Sequence, residues 1–205
     1  MVFVKICGLR DIEHVDAALD AGANAIGFVL TSSPRFVTAQ SARGLVSRVG
    51  DRALTVGVFR GESVAEIEGL AAESGVAAVQ LHGDYGRDDF ARLGALGVNL
   101  IRAIPFTAVD GDLDANDLGA DRLLVDAPRA GSGEEWDYAV MAGRGLSGQW
   151  LLAGGLTPGN VASAIAATSP WGVDVSSGVE TAPGVKDSAL IRAFLAAAKP
   201  SSSLR

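Results

Sequence analysis

The chain reads as a single (β/α)8 barrel, and three observations carry that reading. Eight short β-like runs alternate with about seven helical segments along 205 residues. The runs are mostly continuous apolar stretches without a two-residue alternation, as parallel strands covered on both faces require. The length suits one substantial core, and the strand–helix repeat suits a compact barrel. A doubly wound open sheet is the alternative arrangement of the same elements.

Taken in order, the strands fall at 2–6, 25–30, 54–59, 77–81, 99–104, 122–125, 150–153 and 172–175. Segments 11–21, 41–49 and 63–74 begin on Asp11, Ser41 and Ser63 and stop at Gly22, Gly50 and Gly75, the start and stop chemistry of helices. Helices at 88–96, 136–142, 158–167 and 188–198 complete the set. Thr157 reads as an N-cap with Pro158 at the first helical position. Residues 107–118 are polar and acidic with little apolar periodicity, which predicts a short or irregular connection between strands five and six. The barrel domain is placed at 1–199. The tail at 200–205, Pro-Ser-Ser-Ser-Leu-Arg, is expected to be flexible.

Composition narrows the function. A net charge of −7 argues against an extended basic face for nucleic acid. One cysteine excludes an intrachain disulfide, and with only two histidines it argues against a zinc cluster. No signal-like apolar segment opens the chain, and its apolar runs fall well short of the ~20 residues that span a bilayer. The expectation is a cytoplasmic protein with a small-molecule substrate and with no nucleic-acid or membrane partner.

In a barrel the C-terminal ends of the strands hold the chemistry. Cys7 follows strand one, Arg35 strand two, His82 strand four and Asp126 strand six. Gly154-Gly155 follows strand seven, and Ser176-Ser177-Gly178 follows strand eight. A lone cysteine is commonly a buried small hydrophobe, and an aspartate after a strand is commonly a cap. Their pairing favours chemistry, because strands one and six lie on different sides of an eight-strand ring. Proton shuffling on a sugar needs one acid and one base on opposite sides of the reacting carbons. Arg35, in Ser33-Pro34-Arg35, suits a carboxylate held bidentately. Gly154, Gly155, Ser177 and Gly178 suit a phosphate cradle, where small residues let backbone N–H groups approach an anion and a short helix N-terminus beyond strand eight adds positive dipole. Neither loop carries a lysine or arginine at its tip.

These residues carry a family resemblance. Lys5-Ile6-Cys7-Gly8-Leu9, Ser33-Pro34-Arg35, Val79-Gln80-Leu81-His82-Gly83, Leu124-Val125-Asp126 and Leu152-Ala153-Gly154-Gly155-Leu156 occur in order. Val173-Asp174-Val175-Ser176-Ser177-Gly178-Val179-Glu180 follows, then Pro183-Gly184 and Lys186-Asp187. Together they resemble the phosphoribosylanthranilate isomerases of tryptophan biosynthesis. Two loops depart from the family pattern. The sixth reads Gly131-Ser132-Gly133-Glu134-Glu135-Trp136-Asp137-Tyr138, and the second reads Leu30-Thr31-Ser32 where an aromatic and a basic residue are usual.

The resemblance implies a single-domain barrel that catalyses an Amadori rearrangement, with Cys7 as general base and Asp126 as general acid. Arg35, His82 and Asp174 would bind substrate. Protonated Asp126 would open the furanose ring to a Schiff base, and the Cys7 thiolate would take the proton from the adjacent sugar carbon. No metal or organic cofactor is implied, because the substrate's own nitrogen is the electron sink. A free thiol titrates near ~8.5, so Cys7 needs help to ionise, and Lys5, two residues away on the same strand face, is placed to give it. Two other readings stay open. One is a dual-substrate isomerase that also serves the histidine-pathway aminoaldose. The other is a non-catalytic phosphosugar-binding barrel.

Overall fold

A computed structural model describes residues 2–109, 111–126, 138–141 and 145–199. The predicted helix at 136–142 falls partly outside them; of it, Tyr138–Met141 forms a 3-10 turn. The glycine-rich part of loop six and the tail at 200–205 lie outside the described residues altogether.

Among the described residues, eight parallel strands close into a ring in sequence order. They are β1 (Phe3–Cys7), β2 (Ala25–Val29), β3 (Leu54–Phe59), β4 (Ala78–His82), β5 (Asn99–Pro105), β6 (Arg122–Asp126), β7 (Trp150–Ala153) and β8 (Gly172–Val175). Around them lie α1 (Ile12–Asp20), α2 (Ala39–Val49), α3 (Val64–Ser74), α4 (Arg87–Gly94), α5 (Val161–Thr168) and α6 (Ser188–Ala198). Ring closure by β1 against β8 pairs Lys5 with Asp174 and Ile6 with Val175. The barrel reading therefore holds over the open sheet.

The apolar runs are continuous because each strand serves two cores. Val4, Ile6, Phe28, Val79, Leu81, Leu123, Val125, Val173 and Val175 face outward and pack under the helices. Ala25, Val56, Val58, Ala78, Ile101, Leu124 and Leu151 face the barrel axis. At the floor the Phe3 and Trp171 rings stack with centroids 4.4 Å apart, and the Arg122 guanidinium lies 5.5 Å from the Trp171 ring centroid.

Most helix starts follow the sequence. Asp11 and Ser63 cap α1 and α3 through their side chains, and Ser63 forms a full capping box with Glu66. Thr38, three residues before Ser41, is the cap of α2, and its hydroxyl accepts from the Ser41 N–H. The start of α5 also differs. Asn160, not Thr157, stands at the cap position. The Asn160 side chain accepts from the Thr157 N–H and donates to the Gly155 carbonyl. This Asn-closed turn takes up Pro158 before the helix begins. Between β5 and β6 the chain makes two 3-10 turns, Phe106–Ala108 and Ala115–Leu118, in place of a helix. No described helix is long and apolar enough to cross a membrane.

One element was not read from the sequence. After β8 the chain makes a 3-10 turn, Ser177–Val179, in place of the expected short helix. It then forms a small antiparallel hairpin of β9 (Glu180–Ala182) and β10 (Val185–Lys186). Its turn uses Gly184 at φ +78, where a Cβ would strike the Pro34 carbonyl oxygen. Arg10 Nη2 donates to the Gly184 carbonyl at 2.5 Å. The hairpin therefore lies down on loops one and two.

Candidate active site

The C-terminal ends of the strands surround a cavity of about 700 Å³. Cys7, Arg35, His82, Asp126, Gly154, Gly155, Asp174 and Ser177 all line it. These expected site residues come from six of the eight strand ends, so ring closure assembles what the linear sequence scatters. Gly178, also expected there, is not part of the wall. A Cβ on Gly178 would collide with the Leu156 carbonyl oxygen, so this glycine lets loop eight lie against loop seven.

Cys7 ends β1 and is buried at 6% exposure. It fits because Gly27 faces it from β2. A Cβ on Gly27 would stand 2.9 Å from Cys7 Sγ and 3.2 Å from Lys5 Cε. Beneath Cys7, Lys5 is completely inaccessible, and its Nζ donates to Asp174 Oδ1 at 2.8 Å. Burial works against the Lys5 charge, but Asp174 and the Cys7 thiol outweigh it and hold the ammonium above its ordinary range. Burial pushes the Cys7 thiol up; Lys5 and Lys186 pull it down while Asp174 opposes them, and the net shift is upward. Lys5 is therefore where the sequence places it, but it shares its charge with Asp174. In this geometry the two lysines only partly offset the cost of a buried thiolate.

Asp126 ends β6, in register with Ala153 of β7. It is the exposed residue of a strand whose preceding three residues are buried, so its carboxyl stands at the rim. Going round the ring from β1, two strands, β8 and β7, separate it from Cys7.

His82 and Gln80 alternate on β4 and both reach the cavity. Gln80 Nε2 lies 2.7 Å from His82 Nε2, so the amide and the ring are hydrogen-bonded. Burial first, then the positive charge of Lys5, lowers the His82 pKa to about 4. The ring is neutral at physiological pH, which suits binding and not acid catalysis.

Arg35 does not present an empty fork. Its Nε donates to Glu180 Oε1 at 2.6 Å and its Nη2 to Glu180 Oε2 at 2.7 Å. The sequence reading had that fork open to an incoming carboxylate. The hairpin brings in a carboxylate of the protein itself, and two of the five guanidinium N–H bonds are committed to it. Glu180 also pairs with Lys186 at 2.8 Å and accepts from the Gly184 N–H at 3.2 Å. Burial raises its pKa, but the bonds from Arg35 and Lys186 dominate and bring it down to about 2. Lys186 Nζ donates to the Ser176 carbonyl at 2.8 Å and to its hydroxyl oxygen at 3.2 Å, and Ser176 Oγ donates to the Cys7 carbonyl at 3.2 Å. A polar chain thus runs from loop two through the hairpin to the end of β1.

At the end of β7, Gly154 and Gly155 adopt φ +88 and +68, left-handed conformations that glycine tolerates without strain. No side chain stands within 4 Å of where a Gly155 Cβ would be. The N–H groups of Ser177 and Gly178 open the 3-10 turn and have no partner within it.

Sequence reasoning missed Gly27, Gln80, Glu180 and Lys186 as site-builders. For the last two a signal existed. Pro183-Gly184 between two short β-compatible stretches is a turn signature, and a hairpin there brings Glu180 and Lys186 side by side.

Comparison with known proteins agrees with this architecture. The family model of N-(5'-phosphoribosyl)anthranilate (PRA) isomerase matches residues 4–197. A curated N-(5'-phosphoribosyl)anthranilate isomerase of Paracoccus denitrificans is 43% identical over 96% of this chain and 97% of its own length. The crystal structure of TrpF from Jonesia denitrificans superimposes with a TM-score of 0.91 at 48% identity, covering 100% of both chains. The structure of a phosphoribosyl anthranilate isomerase in complex with reduced 1-(o-carboxyphenylamino)-1-deoxyribulose 5-phosphate superimposes at 0.82 and 32% identity, covering 97% of this chain and 99% of that one. On a shared barrel, a match from end to end and this degree of identity, the chain belongs to the N-(5'-phosphoribosyl)anthranilate isomerase family of tryptophan biosynthesis.

Proposed function

We propose that Cys7 and Asp126 carry the Amadori rearrangement of N-(5-phosphoribosyl)anthranilate to 1-(2-carboxyphenylamino)-1-deoxyribulose 5-phosphate, as general base and general acid. One observation supports the pair above all. Both line the same cavity, from strands that β7 and β8 keep apart. Protonated Asp126 gives its proton to the furanose ring oxygen as the C1–O bond breaks, leaving a C1–N iminium. The Cys7 thiolate takes the C2 proton, and the C2–H electron pair flows toward nitrogen to give an enolamine. That intermediate ketonises as C1 gains a proton and the C2 hydroxyl gives one up. Atoms and electrons balance within the substrate, so the reaction draws on no cofactor.

In this reading the phosphate lies against the N–H groups of Gly154, Gly155 and Ser177. Gly178, expected from the sequence as a fourth donor, serves the cradle from behind the cavity wall by letting loop eight lie against loop seven. The anthranilate carboxylate takes the N–H groups of Arg35 that Glu180 leaves over. His82, as a neutral ring, and Asp174 flank the ribose. The working environment is the cytoplasm, with neither nucleic acid nor membrane as partner.

Steady-state turnover of Cys7→Ala and Asp126→Asn tests the assignment. Each variant is expected to lose ~10²–10⁴ in kcat, the usual contribution of a positioned acid or base. Each is expected to keep its affinity for the reduced product analogue. Near-normal kcat in Cys7→Ala removes the base from the mechanism. An intact kcat with collapsed affinity in Asp126→Asn makes that residue a ligand and not the acid.

A further inference from the structure

We propose that Glu180 is a positioning residue for substrate recognition: its carboxylate fixes the Nε–Nη2 edge of Arg35, so that the opposite edge of the guanidinium is held ready for the carboxylate of the substrate's aromatic ring. The inference rests on the reading of Arg35 as the ligand of that carboxylate.

Three observations carry it. The two Arg35–Glu180 bonds, at 2.6 and 2.7 Å, form a bidentate fork, which sets the plane as well as the position of the guanidinium. The stem of Arg35 is held too. It passes Gly8 so closely that a Cβ there would stand 2.8 Å from Arg35 Cδ, and Gly8 at φ +80 is in a conformation that favours glycine. Finally, the Glu180 side chain is only 3% exposed, while that of Arg35 is 20% exposed and faces the cavity. The carboxylate is thus behind the guanidinium and the ligand space is in front of it.

The charge arrangement points the same way. Arg35 and Lys186 converge on the single carboxylate of Glu180, so these three side chains carry one positive charge in excess, part of which the Cys7 sulfur also faces. An incoming carboxylate balances it. A long arginine in a loop otherwise loses rotamer freedom each time it binds. Glu180 removes that cost in advance, which is the general benefit of a preorganised site. The hairpin β9–β10 then has a functional reason to exist, because it carries Glu180 across to loop two.

The test compares two substrates in steady state: the anthranilate substrate, and the analogue in which aniline replaces anthranilate and the ring carboxylate is missing. Arg35→Ala and Glu180→Gln are each expected to raise KM for the anthranilate substrate roughly tenfold or more, the scale of a lost charge-assisted hydrogen bond. Each should raise KM for the aniline analogue, which has no ring carboxylate to lose, far less than KM for the anthranilate substrate, and should change KM more than kcat. Adding Glu180→Gln to Arg35→Ala is expected to raise KM no further, because both act through one contact. Glu180→Asp, which keeps the charge, is expected to recover part of the loss. If removing Glu180 leaves two buried cations and impairs folding, Glu180→Gln with Lys186→Met restores the charge balance and is measured in its place. Equal loss on both substrates, or full additivity with Arg35→Ala, makes Glu180 structural and overturns the proposal. If Arg35→Ala itself fails to discriminate the two substrates, the Arg35 reading falls first and the Glu180 proposal falls with it.

Discussion

Lys5 and Asp174 form an ion pair of 2.8 Å between adjacent strands β1 and β8, directly beneath Cys7, and Lys5 has no contact with solvent. The pair ties β1 to β8 where the ring closes and supplies the positive charge that acts most strongly on the Cys7 thiol. Lys5→Met is expected to do two things. It leaves Asp174 as an unpaired carboxylate and lowers stability by about 3 kcal/mol or more, the scale of breaking a buried pair from one side. It also moves the limb of the kcat/KM profile that reports the thiol to higher pH, since Lys5 is the largest influence lowering the Cys7 pKa. Lys5→Met with Asp174→Asn is expected to recover much of the stability. Chemical denaturation and a pH–rate profile check the two effects separately. A thiol limb that stays in place after Lys5 is removed contradicts the assigned role.

Gly27 is a second point where the site depends on an absent atom. A Cβ there would stand 2.9 Å from Cys7 Sγ and 3.2 Å from Cys7 Cα, closer than well-packed neighbours allow. Gly27→Ala is expected to displace the thiol and lower kcat by roughly tenfold to a hundredfold, as small misplacements of reacting groups do. The overpacking cost to stability is expected to be about 1–3 kcal/mol. Unchanged kcat in a stable Gly27→Ala protein shows that the thiol position tolerates the shift.

The phosphate cradle proposed for loops seven and eight makes a prediction about small residues. Gly178→Ala places a Cβ onto the Leu156 carbonyl oxygen, so loops seven and eight must part. Gly155→Val pays the left-handed backbone penalty of roughly 1–2 kcal/mol and fills open space that an anion would use. Ser177→Ala removes one hydroxyl and leaves the backbone alone. Inhibition by inorganic phosphate is expected to weaken strongly in the two glycine variants and only slightly in Ser177→Ala. The reverse order places the phosphate elsewhere.

His82 predicts a pH dependence with a definite sign. Its folded pKa of about 4 lies below the ordinary value of 6.5, because burial and the Lys5 charge disfavour the imidazolium. Between those two values the unfolded chain binds a proton that the folded chain refuses. Stability therefore falls as pH drops from about 6.5 to about 4, by on the order of 3 kcal/mol, and this contribution is constant outside that window. Replacement by Asn is expected to flatten that slope. Ring-nitrogen NMR shifts should report the neutral ring down to pH 5. An imidazolium at pH 6 contradicts the assignment.

Much of the fold was legible because parallel barrels write themselves into local pattern. Continuous apolar runs such as Leu54–Phe59 and Trp150–Ala153 appear as the same strands in the structure, and the Ser63 cap and Gly75 stop bound α3 as read. Where loops set the boundary, local pattern was weaker. Thr157-Pro158 carries a helix-start signature, yet the side chain of Asn160 closes a turn first and delays α5 to Val161. The hairpin after β8 was concealed because its strands are three and two residues long and its partner is a distant loop.

By itself the sequence determined the chemistry available to this protein. It places a thiol, a carboxyl, a guanidinium and two runs of small residues at the ends of strands, where a barrel gathers them, because strand periodicity and side-chain type are local properties. Only the tertiary structure decided the state in which those groups are held. Cys7 meets Lys5 and Asp174 across the closure of β1 on β8, Gly27 leaves the space for it, and Glu180 takes one edge of Arg35 from 145 residues away. Burial and charge pairing depend on which distant atoms come within a few ångströms, and that is set by ring closure and loop packing.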